Sequence, residues 1–126
     1  MAAGWLIHEL KRKGLYPQIE VDTCGIGAKR GSSATPEAQL VMKNREIDIS
    51  GHSSKPCTRE DVVESDLIFV MSIEHFVFIT GMVQGIKDKV RVLNIPDPIG
   101  MGISLYEEVL KNIEKKMTEH WDTIVA

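Results

Sequence analysis

The sequence predicts an α/β domain built on a parallel sheet, and three observations lead to this class. Segments with the 3.6-residue period of helices alternate along the chain with short segments typical of strands. Residues 67–71, Leu-Ile-Phe-Val-Met, form an uninterrupted apolar run, as expected of a parallel strand covered on both faces. A chain of 126 residues, 43% of them hydrophobic, is long enough for one core. We therefore expect residues 1–126 to form a single domain.

The amino-terminal part predicts a helix and then a strand. Residues 2–13 place their apolar side chains on one helical face, and Gly14 is a suitable residue to end that helix. Residues 18–23 alternate between apolar and polar side chains, which predicts a strand with one face in water. The first helix needs a sheet to pack on, yet no strand precedes it. We expect a first strand to lie ahead of Met1.

Three segments in the middle of the chain carry helix signals. Residues 35–37, Thr-Pro-Glu, combine an N-cap residue, a proline at the first helical position and an acid in the first turn. That helix is predicted to run to about Arg45. Thr58 opens a short helix with a capping-box-like pattern, and another helix is expected over residues 73–83, after the apolar strand.

The carboxyl-terminal part predicts a strand over residues 90–95 and a long amphipathic helix that begins at Ser104. Between them lies Asp97, flanked by Pro96 and Pro98, which stiffen the backbone. Open α/β sheets place ligands just past the carboxyl ends of their strands, so this carboxylate is a candidate general acid. The alternative is an ordinary Asp-Pro turn.

Composition narrows the functional classes. A net charge of −3 gives no reason to expect nucleic-acid binding or attraction to a membrane surface, and no apolar run is long enough to cross a bilayer. Two cysteines do not make a disulfide framework, which predicts reduced thiols and a cytoplasmic protein. The four histidines are scattered, so neither a metal site nor a cofactor is expected.

Several short motifs resemble, in order, those of the low-molecular-weight protein tyrosine phosphatases, including their bacterial protein-arginine phosphatase branch. The motifs cover nearly the whole chain and lie at residues 21–28, 34–38, 47–52, 58–71, 97–98 and 106–108. The resemblance implies a three-layer, Rossmann-like or flavodoxin-like parallel sheet with helices on both faces. The family's strand order is 2-1-3-4, and its first, central strand is not in this sequence.

The resemblance also implies a chemistry. Family members begin with a strand that runs into a Cys-x5-Arg loop, whose cysteine attacks phosphorus and forms a phosphocysteine. We therefore expect a phosphatase for protein phosphotyrosine, phosphoarginine or another small phosphoester, with its nucleophile upstream of Met1. The alternative is a catalytically inactive, truncated domain that serves as a binding or regulatory module.

Four residues match functional positions of the family. Asp97 matches the general acid, while Thr23 and His52 match residues that support the phosphate loop. Ile99 stands where the family usually has an aromatic wall of the substrate pocket. An aliphatic wall stacks less well on a phosphotyrosine ring, which leaves room for phosphoarginine.

The chain contains a Cys-x5-Arg of its own, from Cys24 to Arg30. We consider it a poor candidate phosphate loop, because the preceding segment is half polar and the next helix begins too late to include Arg30. Arsenate reductases share the fold and use extra cysteines as a redox relay. Cys57 has no second cysteine near it in the sequence, which argues against that role.

Overall fold

The computed structural model describes residues 1–126 and confirms the α/β class. Six α-helices and two strands follow one another, with a 3₁₀ turn at Lys87–Lys89 before the second strand. The elements are α1 (Ala2–Arg12), α2 (Pro36–Lys43), α3 (Arg59–Glu64), β1 (Ile68–Val70), α4 (Ile73–Met82), β2 (Val90–Val92), α5 (Ile103–Glu119) and α6 (Trp121–Val125).

The two strands pair in parallel, as the apolar runs predicted. Their backbone pairing continues beyond the strand bounds: the Leu93 amide donates to the Val70 carbonyl at 2.8 Å, and the Ile95 amide donates to the Met71 carbonyl at 2.9 Å. The chain therefore stays beside β1 until just before Asp97. This pairing fixes where the Asp97 loop leaves the sheet.

Helices cover both faces of the sheet, because alternate strand residues point to opposite sides. Even-numbered strand residues such as Val70 and Val90 join a small core beneath α3 and α4. Odd-numbered residues such as Leu93 and Ile95 join a larger core beneath α1, α2 and α5. The most deeply buried side chains of the larger core are Leu10, Val41, Met42, Leu93 and Leu110.

Most helix ends lie where the capping signals predicted. Thr35 caps α2 by accepting a hydrogen bond from the Ala38 amide at 3.3 Å. Thr58 and Asp61 form a complete capping box at the start of α3. Gly14, with φ of 71°, follows α1 in the left-handed conformation that glycine adopts at low cost.

Two details at the carboxyl terminus differ from prediction. Helix α5 begins at Ile103 rather than at Ser104, with Gly102 at the N-cap and no side-chain cap. A further short helix, α6, follows α5, and no helix was expected there. The chain has no helix with the length and hydropathy required to cross a membrane.

The predicted strand over residues 18–23 is wrong. Ile19 and Val21 do pack against the larger core, so the alternation correctly indicated which side chains turn inward. The backbone of these residues nevertheless forms no ladder, and the nearest pairing is an isolated bridge between Gly25 and Pro56. A strand needs a partner backbone as well as a pattern, and no segment of residues 1–126 lies beside this one as a strand.

Candidate functional site

Asp97 lies on a tight turn at the carboxyl end of the sheet. Its Oδ1 accepts a hydrogen bond from the Ile99 amide at 3.0 Å. The turn closes when the Met101 amide donates to the Pro98 carbonyl at 2.9 Å, and Gly100 supplies the positive φ of 82° that this turn needs. Pro98 is buried and anchors the loop, while Asp97 is exposed. The carboxylate is thus held at a fixed place yet open to a ligand.

The Asp97 loop presents apolar side chains to solvent. Ile99 is 68% exposed, Met101 is 55% exposed and Ile103 is 44% exposed. Exposed apolar side chains that follow Asp97 so closely in the chain are available for contact with an organic group. The place of Ile99 is compatible with its predicted role as a pocket wall, and the role stays a prediction.

Thr23 and His52 lie together, although 28 residues separate them in the sequence. Both line a small cleft of about 120 Å³, which also includes Cys24, Ser54 and Lys55. Both side chains are exposed, and neither makes a side-chain hydrogen bond. The structure therefore brings the two predicted supporting residues into one cleft and leaves their polar atoms free. Asp97 does not line this cleft.

Lys55 is a charged residue of the cleft that the sequence analysis missed. Its Nζ lies 2.5 Å from Asp22 Oδ2 and 3.6 Å from Asp61 Oδ1. The hydrogen bond to Asp22 raises the pKa of Lys55, so the ammonium is fully charged at neutral pH. The pairing joins residues 33 positions apart, and no local signal in the sequence reports it.

The two cysteines contradict the expectation of separate, reduced thiols. Cys24 and Cys57 form a disulfide, with their Cα atoms 4.9 Å apart, and the chain has no free cysteine. The argument that Cys57 has no second cysteine near it holds only along the sequence. The fold places the loop after residue 23 against the segment that leads into α3, and this brings the sulfurs together.

The Cys24–Arg30 segment gains no support as a phosphate loop. In the disulfide, the Cys24 sulfur has no thiolate with which to attack phosphorus. Arg30 is exposed, and α2 begins only at Pro36, so Arg30 does not lie in the first turn of a helix. A phosphate loop needs both features at once.

A second, larger cleft of about 320 Å³ lies between α1 and α5 and shares no lining residue with the first. Its cation is Arg45, whose Nη1 lies 2.8 Å from Glu114 Oε1 and whose Nη2 lies 3.8 Å from Glu107 Oε2. The two carboxylates compensate this cation, so the cleft does not favour an anion. No group of three or more His, Cys, Asp or Glu side chains is arranged to hold a metal ion.

Comparison with known proteins gives the same picture over nearly the whole chain. The family model described as low molecular weight phosphotyrosine protein phosphatase matches residues 1–125. The low molecular weight protein-tyrosine-phosphatase Ptp of Acinetobacter johnsonii is 34% identical over 99 residues, which are 74% of this chain and 70% of that protein. The protein-arginine-phosphatase of Bacillus subtilis is 26% identical over 118 residues, which are 86% of this chain and 77% of that protein.

Solved structures agree with the fold. The low molecular weight protein tyrosine phosphatase from T. tengcongensis superposes with a TM-score of 0.89, at 24% identity, over 97% of this chain and 88% of that one. A YwlE arginine phosphatase, solved as a cysteine-to-serine mutant with a phosphorylated active-site serine, superposes with a TM-score of 0.84. It is 26% identical, over 92% of this chain and 80% of that one.

The sequence motifs, the two-faced parallel sheet and the family match over residues 1–125 agree. The relatives include both tyrosine and arginine phosphatases from bacteria. The chain belongs to the low-molecular-weight phosphotyrosine protein phosphatase family.

Proposed function

We propose that this protein hydrolyses protein phosphotyrosine or phosphoarginine through a phosphocysteine intermediate, with Asp97 as the general acid. The observation that carries the proposal is the position of Asp97: it is exposed, it lies on a proline-anchored turn just past the carboxyl end of β2, and exposed apolar residues follow it in the chain. A carboxylate held in this way can meet a leaving group without a large rearrangement. No cofactor or metal takes part.

The proposed reaction has two steps, and Asp97 moves a proton in each. In the first, a cysteine thiolate attacks phosphorus, and Asp97 protonates the departing phenolic oxygen or guanidino nitrogen. In the second, the Asp97 carboxylate takes a proton from a water molecule, whose oxygen attacks the phosphocysteine and releases inorganic phosphate. We do not assign the thiolate to Cys24, because α2 begins only at Pro36 and Arg30 therefore does not lie in the first turn of a helix, as a phosphate loop requires. We assign it to a segment outside residues 1–126.

The covalent intermediate has support from a relative. The YwlE arginine phosphatase mutant carries its phosphoryl group on an active-site serine that replaces cysteine. A hydroxyl at that position accepts phosphate, which favours nucleophilic attack by the native thiolate. The transfer of this mechanism to the present chain is part of the proposal.

Thr23 and His52 are proposed to support the phosphate-binding loop rather than to react. Their exposed polar groups share one cleft and have no hydrogen-bond partner within the chain. A hydroxyl and an imidazole so placed can bond to the backbone or side chains of a loop that docks against them. We expect substitution of either residue to weaken catalysis less than substitution of Asp97.

The decisive experiment uses the protein expressed from its complete reading frame. Its intact mass is measured first, and hydrolysis of an aryl phosphate and of a phosphoarginine protein is then followed with and without vanadate. We expect Asp97→Asn to lower kcat by about 10²–10⁴-fold, because the leaving group departs without a proton. Asp88→Asn is the matched control, because Asp88 is an exposed carboxylate just before β2, at the opposite end of the strand from Asp97.

Each outcome bears on the proposal. Vanadate-sensitive hydrolysis that falls with Asp97→Asn and not with Asp88→Asn supports it. An Asp97→Asn protein with the wild-type rate removes the general-acid role. If the protein hydrolyses neither substrate, the remaining hypothesis is a catalytically inactive binding module, which no present observation favours. A cytoplasmic location also belongs to the proposal, and cell fractionation tests it.

A further inference from the structure

The Cys24–Cys57 disulfide joins two loops at the rim of the cleft that contains Thr23 and His52. The bridged residues are 33 positions apart, and Cys24 directly follows Thr23. Beside the disulfide, the Gly25 amide donates to the Lys55 carbonyl at 2.9 Å, and the Cys57 amide donates to the Gly25 carbonyl at 3.3 Å. The two sides of the cleft are therefore linked by one covalent bond and by hydrogen bonds next to it.

The other links between these loops are polar contacts that water can reach. No residue among residues 22–33 or 51–57 is buried, although Ile26 packs against the small core. Lys55 pairs with Asp22 across the two loops. The Gly31 amide donates to the Ser54 carbonyl and the Ser54 amide donates to the Ser32 carbonyl, each at 2.8 Å. Because water competes for such contacts, each adds little, and the disulfide is the one covalent link between the loops.

The disulfide is also open to reagents. Cys24 is exposed and Cys57 is only partly buried. A thiolate can therefore reach the Cys24 sulfur without unfolding the domain. Stable structural disulfides are usually shielded, whereas exposed ones undergo exchange and serve regulation.

We propose that Cys24 and Cys57 form a reversible redox clasp that orders the two loops beside Thr23 and His52 when oxidised and releases them when reduced. The oxidant is a low-molecular-weight disulfide such as oxidised glutathione. A thiolate of the pair attacks it, one molecule of glutathione leaves, and the second cysteine thiolate displaces the other. The protein loses two electrons and two protons, and one oxidised glutathione becomes two reduced ones. Reduction is the reverse of these steps.

The first test needs no substitution. The protein is equilibrated in glutathione buffers that run from fully reduced to fully oxidised, approached from both directions, and free thiols are counted by alkylation and intact mass. We expect one transition from two free thiols to none, with the same midpoint from both directions. If the disulfide stays intact in reduced glutathione alone, it is a permanent structural bond, and the proposal is overturned. Thiols that stay free in oxidised glutathione would overturn it too.

The second test asks whether the clasp orders the loops. In hydrogen exchange, we expect the amides of Gly25, Gly31, Ser54 and Cys57 to exchange about tenfold faster or more in the reduced protein, while amides of α5 change far less. The melting temperature should fall by about 10 °C on reduction. Equal exchange in the two states would show that the bond constrains nothing and would overturn the proposal.

The Cys24→Ser/Cys57→Ser double variant is the control for effects of the reductant itself. We expect it to match the reduced wild type in melting temperature and in hydrogen exchange of the loops. Neither quantity should depend on the ratio of reduced to oxidised glutathione. A double variant that resembles the oxidised wild type would contradict the clasp. None of these readouts uses phosphatase activity, so the clasp and the proposed function stand or fall separately.

Discussion

Two regions of the molecule are held together by different means. The sheet region, residues 59–119, contains both strands, three helices and most of the buried side chains. The loop region, residues 15–35 and 48–58, contains no buried residue and no strand or helix. Apolar packing stabilises the first. In the second, partly buried side chains such as Ile19, Val21 and Ile49 pack against the larger core, and a disulfide and exposed hydrogen bonds link the loops to each other. The candidate site draws on both regions.

The residues of the candidate site are divided between these two regions. Asp97 leaves a sheet whose partners are packed on both faces, so its position is set by the core. Thr23 and His52 stand on loops whose geometry depends on surface contacts. We therefore expect the general acid to be placed rigidly, and the supporting groups to respond to solution conditions.

The largest contrast should come from removing one apolar side chain in each region. Leu110 is fully buried in α5, and Leu110→Ala should lower the free energy of unfolding by about 2–5 kcal/mol through lost burial and the cavity it leaves. Val21 is only partly buried in the loop region, so Val21→Ala should lower the free energy of unfolding by about 1 kcal/mol or less. Urea unfolding of both proteins measures the difference.

Lys111→Ala serves as the control for this pair, because Lys111 is the exposed neighbour of Leu110 in the same helix. It should change stability by less than about 0.5 kcal/mol. Equal losses for Leu110→Ala and Val21→Ala would show that the loop region is packed as firmly as the sheet region, and the division would be wrong.

A smaller effect is expected where the two regions meet. Thr35 ends the loop region, caps α2 and donates its hydroxyl to the Tyr106 oxygen of α5 at 3.1 Å. Thr35→Ala removes the cap and leaves the hydroxyl of the buried Tyr106 without its partner, so we expect a loss of about 1–2 kcal/mol by thermal or urea unfolding. Thr35→Ser keeps the hydroxyl and should recover most of the stability. A serine variant as weak as the alanine variant would assign the loss to the methyl group.

The helix starts and the paired strands were predictable from sequence, and the contacts between the loops were not. Helix caps such as Thr35 and Thr58 act within four residues, and the apolar run at residues 67–71 records burial directly. The position of Asp97 follows from the strand before it. In contrast, the disulfide and the Lys55–Asp22 ion pair each join residues 33 positions apart, and nothing local encodes such contacts. Residues 18–23 failed as a strand for the same reason, since pairing depends on another segment.

A still smaller effect concerns pH. Hydrogen bonds from the Thr58 backbone amide and side chain, together with nearby Lys55, lower the pKa of Asp61. A carboxyl whose folded pKa lies below its unfolded value of about 3.9 stabilises the fold above that pH, and this contribution is lost as the pH falls through the folded pKa. We expect the Asp61→Asn protein to lose less stability than the wild type between about pH 5 and pH 2.5.

Urea titrations at stepped pH measure that slope. Glu60→Gln is the matched control, because Glu60 lies next to Asp61 in the first turn of α3 but makes no side-chain hydrogen bond. Solvent screening keeps the neutral-pH effect of Asp61→Asn under about 1 kcal/mol. If the stability of Asp61→Asn and that of the wild type fall equally with decreasing pH, the negative charge of Asp61 does not contribute to the capping box.

The smallest expected effect concerns an ion pair between Glu114 of α5 and Arg45, which follows α2. Arg45 meets Glu114 at 2.8 Å, and their side chains are 29% and 32% exposed. Part-exposed pairs contribute little, because water and salt screen them, so Glu114→Gln should lose only about 0.5 kcal/mol, and less in high salt. Glu119→Gln, at an exposed carboxylate near the end of the same helix, is the control. A loss above about 2 kcal/mol would mean that Glu107, 3.8 Å from Arg45, does not compensate this cation once the Glu114 charge is gone. Apolar packing alone would then not explain how α5 is held against α2.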